Sequence, residues 1–494
     1  MCITVSFLFT ACSAAVPAGV PQLEPTRTRA PDAMRSTASG AARAAFTAAA
    51  ATPQLRAQDL AACAQVDLGS KPTVFQSSRA VGHIYLLDNG GNLALMRPDG
   101  SEYRALTRDA FIERTAERMR TYRFPAASPD GARVAFVRVD VSSAGVTQTV
   151  QTATFDGSKP VHDVAVVVNR NVPYVDWSPD SRLLAFLDLN GLQGAIRLVS
   201  STGGPVVDVQ AGAPAYWHWR PDSRVLLTHT GGRAQDVQDE GAVSVVAVDA
   251  SPDAASLPHV RSLAVLPGQF QAPQYSPDGR HTLYAANVGP SDLLIVGDAD
   301  GVPQCVLTRL QVNAYFAWSP DGVHVAMLDV MAPAAEVAMV RVFDVRDGSS
   351  RTVHRDALMF FWSPDGSRLA VFSAVEVEST SKLSAPAAPA APAAPAAQTQ
   401  QLLMRIEAVD VSDGHIEHVA DLHPTVAFVQ YIQYFDQYSR AVTPWSPDGR
   451  KLTFAGALEL NGPGIVGVAE FDAAGKIMAM RRIADGALAF FAPK

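Results

Sequence analysis

The amino-acid sequence predicts an all-β chain folded as a single eight-bladed β-propeller closed by its C-terminal strand. Three observations lead there. The phrase WSPDGSRLAVF at residues 362–372 reads as strand, tight turn and strand, and it recurs along the chain. The Asp residues of seven copies fall at 130, 180, 222, 278, 321, 365 and 448, at intervals of 42 to 56 residues with one of 83. A period of roughly 40 to 50 residues filled with short strands is the mark of a propeller, each period supplying one four-stranded blade.

The chain opens with MCITVSFLFTACSAAVPAG, an apolar run followed by small residues. That run is too short to span a bilayer and has the pattern of a secretory signal, so residues 1–18 are expected to direct export. The stretch Phe9-Thr10-Ala11-Cys12 is similar to the lipobox of bacterial lipoproteins, which makes Cys12 the expected lipidation site; it departs from that pattern in having Phe9 where leucine is usual and no preceding Lys or Arg. Residues 19–78 are largely rich in Ala, Thr, Pro and Arg, a composition that buries no core and suits a tether.

The propeller is expected over residues 79–494. HIYLLDNGGNLALMRPDGSEYRALT, residues 83–107, supplies three strands and lacks an inner one; residues 487–492 in GALAFFAPK are the strand left over at the other end, and pairing the two removes exposed sheet edges. Seven copies then follow: ASPDGARVAF at Ala127, WSPDSRLLAF at Trp177, WRPDSRVLLT at Trp219, YSPDGRHTLY at Tyr275, WSPDGVHVAM at Trp318, the phrase at Trp362 and WSPDGRKLTF at Trp445. In each turn Pro sets φ, Asp bonds neighbouring backbone, and Gly supplies a positive φ. Two more strands complete each unit, as at residues 195–200 and 205–209 around Thr202-Gly203-Gly204. The long interval holds SAPAAPAAPAAPAAQTQ, residues 384–400, an extended Pro-Ala spacer inserted within one blade.

The large aromatic that opens most copies packs the wedge between blades, and the repeated Asp fixes the turn; neither set is expected to be a binding or catalytic array.

The SPDG phrase and its strand pattern resemble the Pro-Asp repeats of the TolB family and of the propeller domains of the dipeptidyl peptidase IV and prolyl oligopeptidase families. The resemblance covers residues 79–492 and implies the propeller fold. In the peptidase families activity resides in an α/β-hydrolase domain; the repeats here run on to the last residues and no GxSxG elbow occurs, so peptidase activity is not expected. The propeller fold by itself hosts many functions.

Hydrophobic residues make up 48% of the chain and charged residues 18%, with a net charge of −8 and no basic block, which argues against nucleic acid. The four cysteines, Cys2, Cys12, Cys63 and Cys305, have no zinc-ligand spacing. Cys63 and Cys305 form one candidate pair, but two unpaired thiols are the expectation. His218, in Tyr216-Trp217-His218-Trp219, could be a channel metal ligand or base; Asp176, Gln274, Ala317, Phe361 and Pro444 stand at its repeat positions and supply no further histidine, so a structural role is expected. Asp298-Ala299-Asp300-Gly301 and residues 410–414 have the look of calcium loops but fall where blades need turns. No metal and no cofactor are expected.

Propellers bind at the loops leading into their inner strands. Those loops contain Arg123, Asn171 and Asn313, which with His218 at the channel border are candidate partner contacts, and the richest is residues 428–442, FVQYIQYFDQYSRAV, with Tyr431, Tyr434, Phe435 and Tyr438 among Gln and Asp. Such a cluster suits a partner surface; its alternative is an extended loop whose tyrosines cover a blade edge. The expected function is a non-enzymatic, exported, monomeric propeller, periplasmic or on the cell surface, that binds a protein or peptide partner at the envelope. The alternative is an extracytoplasmic polysaccharide lyase or hydrolase working in the central channel.

Overall fold

A computed structural model describes residues 60–491, apart from residue 65 and the segments 69–81, 114–117, 192, 213–214, 232–240, 249–257, 269–270, 290–291, 311–313, 331–337, 378–400, 433–434 and 440. The signal segment with Cys12, most of the tether, the Pro-Ala spacer, Asn313 and Tyr434 lie outside the described residues.

The described strands form eight sheets, the blades of a propeller. The first pairs Ile84–Leu87, Leu93–Met96 and Arg104–Ala105 with Leu488–Phe491 from the far end of the chain, in the register Ile84 opposite Phe491 and Leu87 opposite Leu488. The second has five strands, Phe111–Glu113, Arg118–Ala127, Arg133–Ser142, Gly145–Thr154 and His162–Val168. Blades three and four follow the four-strand plan at Val175–Trp177 to Val207–Ala211 and at Ala215–Trp219 to His259–Ser262. In blade five two short pieces, Leu266–Pro267 and Gln274–Tyr275, share the place of the first strand beside His281–Asn287, Asp292–Asp298 and Pro303–Leu310. Blade six comprises Ala314–Trp318, His324–Val330, Ala338–Asp344 and Ser350–Arg355, and blade seven Ala357–Trp362, Arg368–Val377, Gln401–Asp410 and Ile416–Leu422. Val377 pairs with Gln401, so the two ends of the segment that holds the Pro-Ala spacer lie side by side. Blade eight keeps three strands, Lys451–Ala457, Gly464–Phe471 and Ile477–Asp485, and its first strand shrinks to a bridge between Trp445 and Leu452.

The repeated turn is held by its own side chains. The Ser hydroxyl donates to the Asp carboxylate at 2.5–2.6 Å in six turns, as in Ser128–Asp130, Ser178–Asp180 and Ser319–Asp321. The same oxygen accepts the N–H of the residue five positions on, which starts the second strand. The following glycine is left-handed, at φ between 66° and 72° in Gly131, Gly279, Gly322, Gly366 and Gly449. Ser181 and Ser223 adopt φ 64° without that freedom. Their hydroxyls accept the Asp130 and Asp180 backbone N–H of the preceding blades at 3.0 and 2.9 Å, contacts a glycine could not make.

The aromatic before the turn is the seam between blades. Trp177, Trp219, Tyr275, Trp318, Trp362 and Trp445 are all buried. The indole N–H of Trp177 donates to the Ala126 carbonyl, that of Trp362 to Ala317 and that of Trp445 to Phe361, each in the neighbouring blade, at 2.8–3.2 Å. In two seams the residue after the turn is an arginine that closes the joint from above. Arg133 stacks on Trp177 and donates to the Ser181 carbonyl; Arg368 stacks on Trp445 and donates to the Gly449 carbonyl.

The expectation of two free thiols is overturned: Cys63 and Cys305 form a disulfide across 242 residues. Leu60, Cys63, Val66 and Leu68, within the stretch expected to be tether, pack against the apolar clusters of blades four to six. Sequence spacing carried no sign of this pairing, because the two cysteines meet only once the ring is built.

Trp318→Ala should lower stability by about 3–5 kcal/mol, as for other large aromatics deleted from a core. Chemical denaturation with tryptophan-independent detection checks it; a loss under about 0.5 kcal/mol would place the indole on the surface.

Candidate functional site

The Tyr-rich lead-in folds differently from the loop expected. Phe428, Tyr431 and Phe435 stand at i, i+3 and i+7, a helical period, and the segment forms helices α1 (Val426–Ile432) and α2 (Phe435–Tyr438). Thr425 caps α1, its hydroxyl accepting the Phe428 N–H at 3.1 Å. Tyr431 and Phe435 are not exposed, at 1% and 3% accessible, while the side chains of Tyr434 and Tyr438 lie outside the described residues. Tyr431 packs on Phe490 of blade one, with ring centroids 4.6 Å apart, and on Phe361 of blade seven. Phe435 meets Tyr315 of blade six at 5.1 Å and Phe360 of blade seven at 6.1 Å. The Tyr174 hydroxyl of blade three donates to the Gln437 carbonyl at 3.0 Å. Side chains from four blades, in or next to their innermost strands, thus converge on α1 and α2, which form a hub at the ring axis. Burial drives the Tyr431 and Tyr315 phenols well above their ordinary range, with Tyr174 or Asp436 adding to it, so both stay neutral. Tyr431 and Phe435 therefore belong to the core, and the reading of them as a partner surface is corrected. The physical reason is that the first strand of blade eight is nearly absent, and the helices fill the space it leaves.

The other singled-out residues each serve the fold in a different place. His218 is half-buried, and its Nδ1 accepts the Tyr275 backbone N–H of blade five at 3.1 Å. Gln274, at the same repeat position, does likewise for the Trp318 N–H at 3.1 Å, which explains both residues as links between blades. Arg123 lies within the strand Arg118–Ala127, beside a bulge at left-handed Phe124, not in a loop. Asn171 is exposed; its backbone exchanges two hydrogen bonds of 2.8 Å with Leu189, and its side chain accepts from Gln148. Another buried histidine, His229 of blade four, is held neutral by desolvation, its pKa lowered to about 4, while its Nδ1 contacts the Gln271 carbonyl at 3.1 Å. No group of three His, Cys, Asp or Glu side chains among the described residues is placed to share a metal ion.

A recess does exist on the face where the SPDG turns lie. Between blades six and seven a cavity of about 560 Å³ is lined by Asp321, His324, Asp344, Arg351, Asp365 and Asp410, among others. Asp344 is held below the usual carboxylate range, chiefly by its hydrogen bonds from Arg346. The Arg351 guanidinium spans the recess to the Ser412 carbonyl at 2.6 Å. Its sequence sign was present but unread: the residue that is Arg133 and Arg368 in two closed seams is His281 in blade five and His324 in blade six. Leu183 and Val225 stand at this position in blades three and four, so the histidine marks blades five and six without by itself opening a seam.

No protein-family model matches the chain, and no curated protein matches it. Solved structures similar to it include TolB from Acinetobacter baumannii, at 15% identity over 57% of this chain with a TM-score of 0.35; the chain spans 65% of that protein, just under two thirds. An oligogalacturonate lyase in complex with manganese is similar at 14% identity over 80% of this chain and 99% of its own, with a TM-score of 0.45. The dihydro-heme d1 dehydrogenase NirN follows at 15% identity over 89% of this chain and 82% of its own, with a TM-score of 0.47. The likeness is one of fold. These neighbours do unlike things on similar rings, and none of them decides what this ring does.

Tyr431→Ala should lower stability by about 3–5 kcal/mol through loss of the hub. Urea unfolding followed by far-UV circular dichroism checks it, and an unchanged midpoint would return the ring to the surface.

Proposed function

We propose that this chain is a non-enzymatic, exported β-propeller that binds a protein or peptide partner at the cell envelope as a monomer. The observation that carries the reading is the hub: Tyr431, Phe435 and the rings around them converge between blades and fill space there with apolar side chains that offer no acid, base or metal ligand. The disulfide between Cys63 and Cys305 supports export, since such bonds persist in oxidising compartments. The N-terminal pattern with Cys12 supports attachment to the membrane by lipid, and no helix among the described residues is long and apolar enough to cross it.

In the same reading, the pairing of Ile84–Leu87 with Leu488–Phe491 seals the ring. Removing residues 487–494 should open blade one and lower the melting temperature sharply; unchanged melting would show the seal lies elsewhere.

For the function itself, the full chain is immobilised and crosslinked in envelope extracts. A discrete partner, captured in stoichiometric amount and competed by free chain, is expected, with no reducing sugar released from envelope polysaccharides. Sugar release with turnover, and no captured partner, would replace this reading with the enzyme.

A further inference from the structure

The seam between blades five and six is filled by the chain's own residues. Ala62 lies parallel to the outer strand Pro303–Leu310, bridged to Val306: the Cys63 N–H donates to the Val306 carbonyl at 3.0 Å, and the Val306 N–H donates to Ala61 at 2.9 Å. His281 Nε2 contacts the Asp67 carbonyl at 3.0 Å, and Arg280 pairs with the Asp67 carboxylate at 3.5 Å. The segment also reaches blade six, where the Cys63 carbonyl lies so close to Gly348 that a Cβ there would stand 2.6 Å from it.

The next seam has the same parts. Thr352 occupies the place of Val306: it faces Arg341 across a one-residue register shift, as Val306 faces Ile295 across one. His324 replaces His281, and Asp321, Asp344, Asp365 and Asp410 replace Asp278, Asp298, Asp321 and Asp344. The turn glycines tell the seams apart. Gly100, Gly157, Gly203, Gly301, Gly348 and Gly475 each have an atom from the neighbouring blade or from residues 60–68 within 4 Å of an added Cβ, whereas Gly414 of blade seven has none. Ser350, Arg351 and Thr352 are exposed along that edge. Among the described residues this is the seam whose turn glycine has no neighbour, bridged above by the Arg351 guanidinium alone, which a bound segment would displace from the Ser412 carbonyl.

We propose that the seam between blades six and seven is a peptide-binding groove: an extended segment of the partner protein adds beside Thr352 in parallel, as residues 61–63 add beside Val306, with a Lys or Arg where Asp67 stands in the filled seam. This rests on the partner-binding function proposed above and names its site and ligand class. The backbone edge supplies the affinity in a sequence-independent way, as strand addition does elsewhere. His324 offers its ring to a ligand carbonyl, as His281 does to Asp67. Charge sets the preference. Asp321, Asp344, Asp365 and Asp410 line the open recess against one lining cation, Arg351, with Arg346 held on Asp344, and Val323 stands where the filled seam has Arg280, so the groove is left with an excess of carboxylate that favours a cation.

The probe is a fluorescent nonapeptide copied from residues 60–68 with Cys63→Ala and Asp67→Lys, titrated into the full chain under non-reducing conditions. Saturable one-site binding is expected. It should weaken at least tenfold in Thr352→Pro, which removes the edge N–H, and in Ser412→Arg, which adds a cation; a tenfold loss is about 1.4 kcal/mol. The peptide that keeps Asp67 should bind at least about tenfold more weakly to the wild-type chain, a margin that added salt narrows. Melting temperatures of both variants should match wild type, since both sites are exposed, and His324→Ala serves as a third variant if either fails to fold. No binding of the lysine peptide, equal binding of both peptides, or binding that appears only after residues 69–81 are replaced by a Gly-Ser linker would each overturn the proposal, the last by assigning the groove to the chain itself. If the variants lose the peptide but still capture the envelope partner, the groove is not the partner's site. If the wild-type chain binds the peptide and captures no partner, the groove stands and the envelope function falls.

Discussion

Six of the eight blades depend on how one aromatic side chain meets the blade before it. A four-stranded sheet cannot bury both of its faces alone, so the ring is stable only if each pair of faces is filled to close-packed density. The indole or phenol ahead of the SPDG turn supplies that volume, and its polar end is bonded in some seams and left buried in others, as at Trp219, Tyr275 and Trp318. In three seams the Trp N–H finds a carbonyl of the neighbouring blade. In two others the backbone N–H of the aromatic residue finds a side chain, His218 or Gln274, on that neighbour. Packing and a hydrogen bond to the neighbouring blade thus meet at the same residue in five seams, which is consistent with a motif repeated so closely while the outer strands vary.

Departures from the repeat follow from this constraint. Blade eight has almost no first strand, and a missing strand would leave apolar first-strand residues of neighbouring blades facing water. Helices α1 and α2 restore the lost contact by presenting Phe428, Tyr431 and Phe435 on one side. Blade one makes up its sheet from both ends of the described chain. Ser181 and Ser223, where glycine would be easier, exchange backbone strain for a hydrogen bond to the preceding blade. Each irregularity stands where a local rule would otherwise leave a surface or a donor unmatched.

This also explains what could be learned from the sequence. The turn chemistry, the repeat period and the buried aromatics were legible because each is local: Ser, Pro, Asp and Gly within four residues determine the turn wherever they occur. The eight blades followed from counting. The hub was not legible, although the i, i+3, i+7 spacing of Phe428, Tyr431 and Phe435 was there to be seen. Tyr and Gln in a non-repeated segment look alike whether they cover a partner or plug an axis, and only the convergence of Tyr174, Tyr315, Phe361 and Phe490 separates the two. The disulfide was hidden for the same reason, since residues 242 apart in sequence are brought together by topology alone. The exposed position of Asn171 and the half-buried His218 show that being near the channel mouth does not by itself assign a role.

An open seam raises the question of why the ring tolerates it. A recess of about 560 Å³ lined by hydrocarbon would expose apolar faces or collapse. Beside Val342 and Val411, the residues lining the recess between blades six and seven carry carboxylate, imidazole, guanidinium and hydroxyl groups, which lose little when water surrounds them. Deeper in the same seam, Val340, Val342, Trp362 and Val411 remain buried in one apolar cluster, so the packing that joins the blades is kept beneath the recess. The seam between blades five and six has equivalent carboxylates, yet there the chain has added a strand, an ion pair and a disulfide to cover them. Two neighbouring seams of one ring therefore share a floor and differ in what lies above it. The difference comes from a few surface residues and one covalent bond, changes that leave the load on the aromatic seam untouched and the upper groove free to vary.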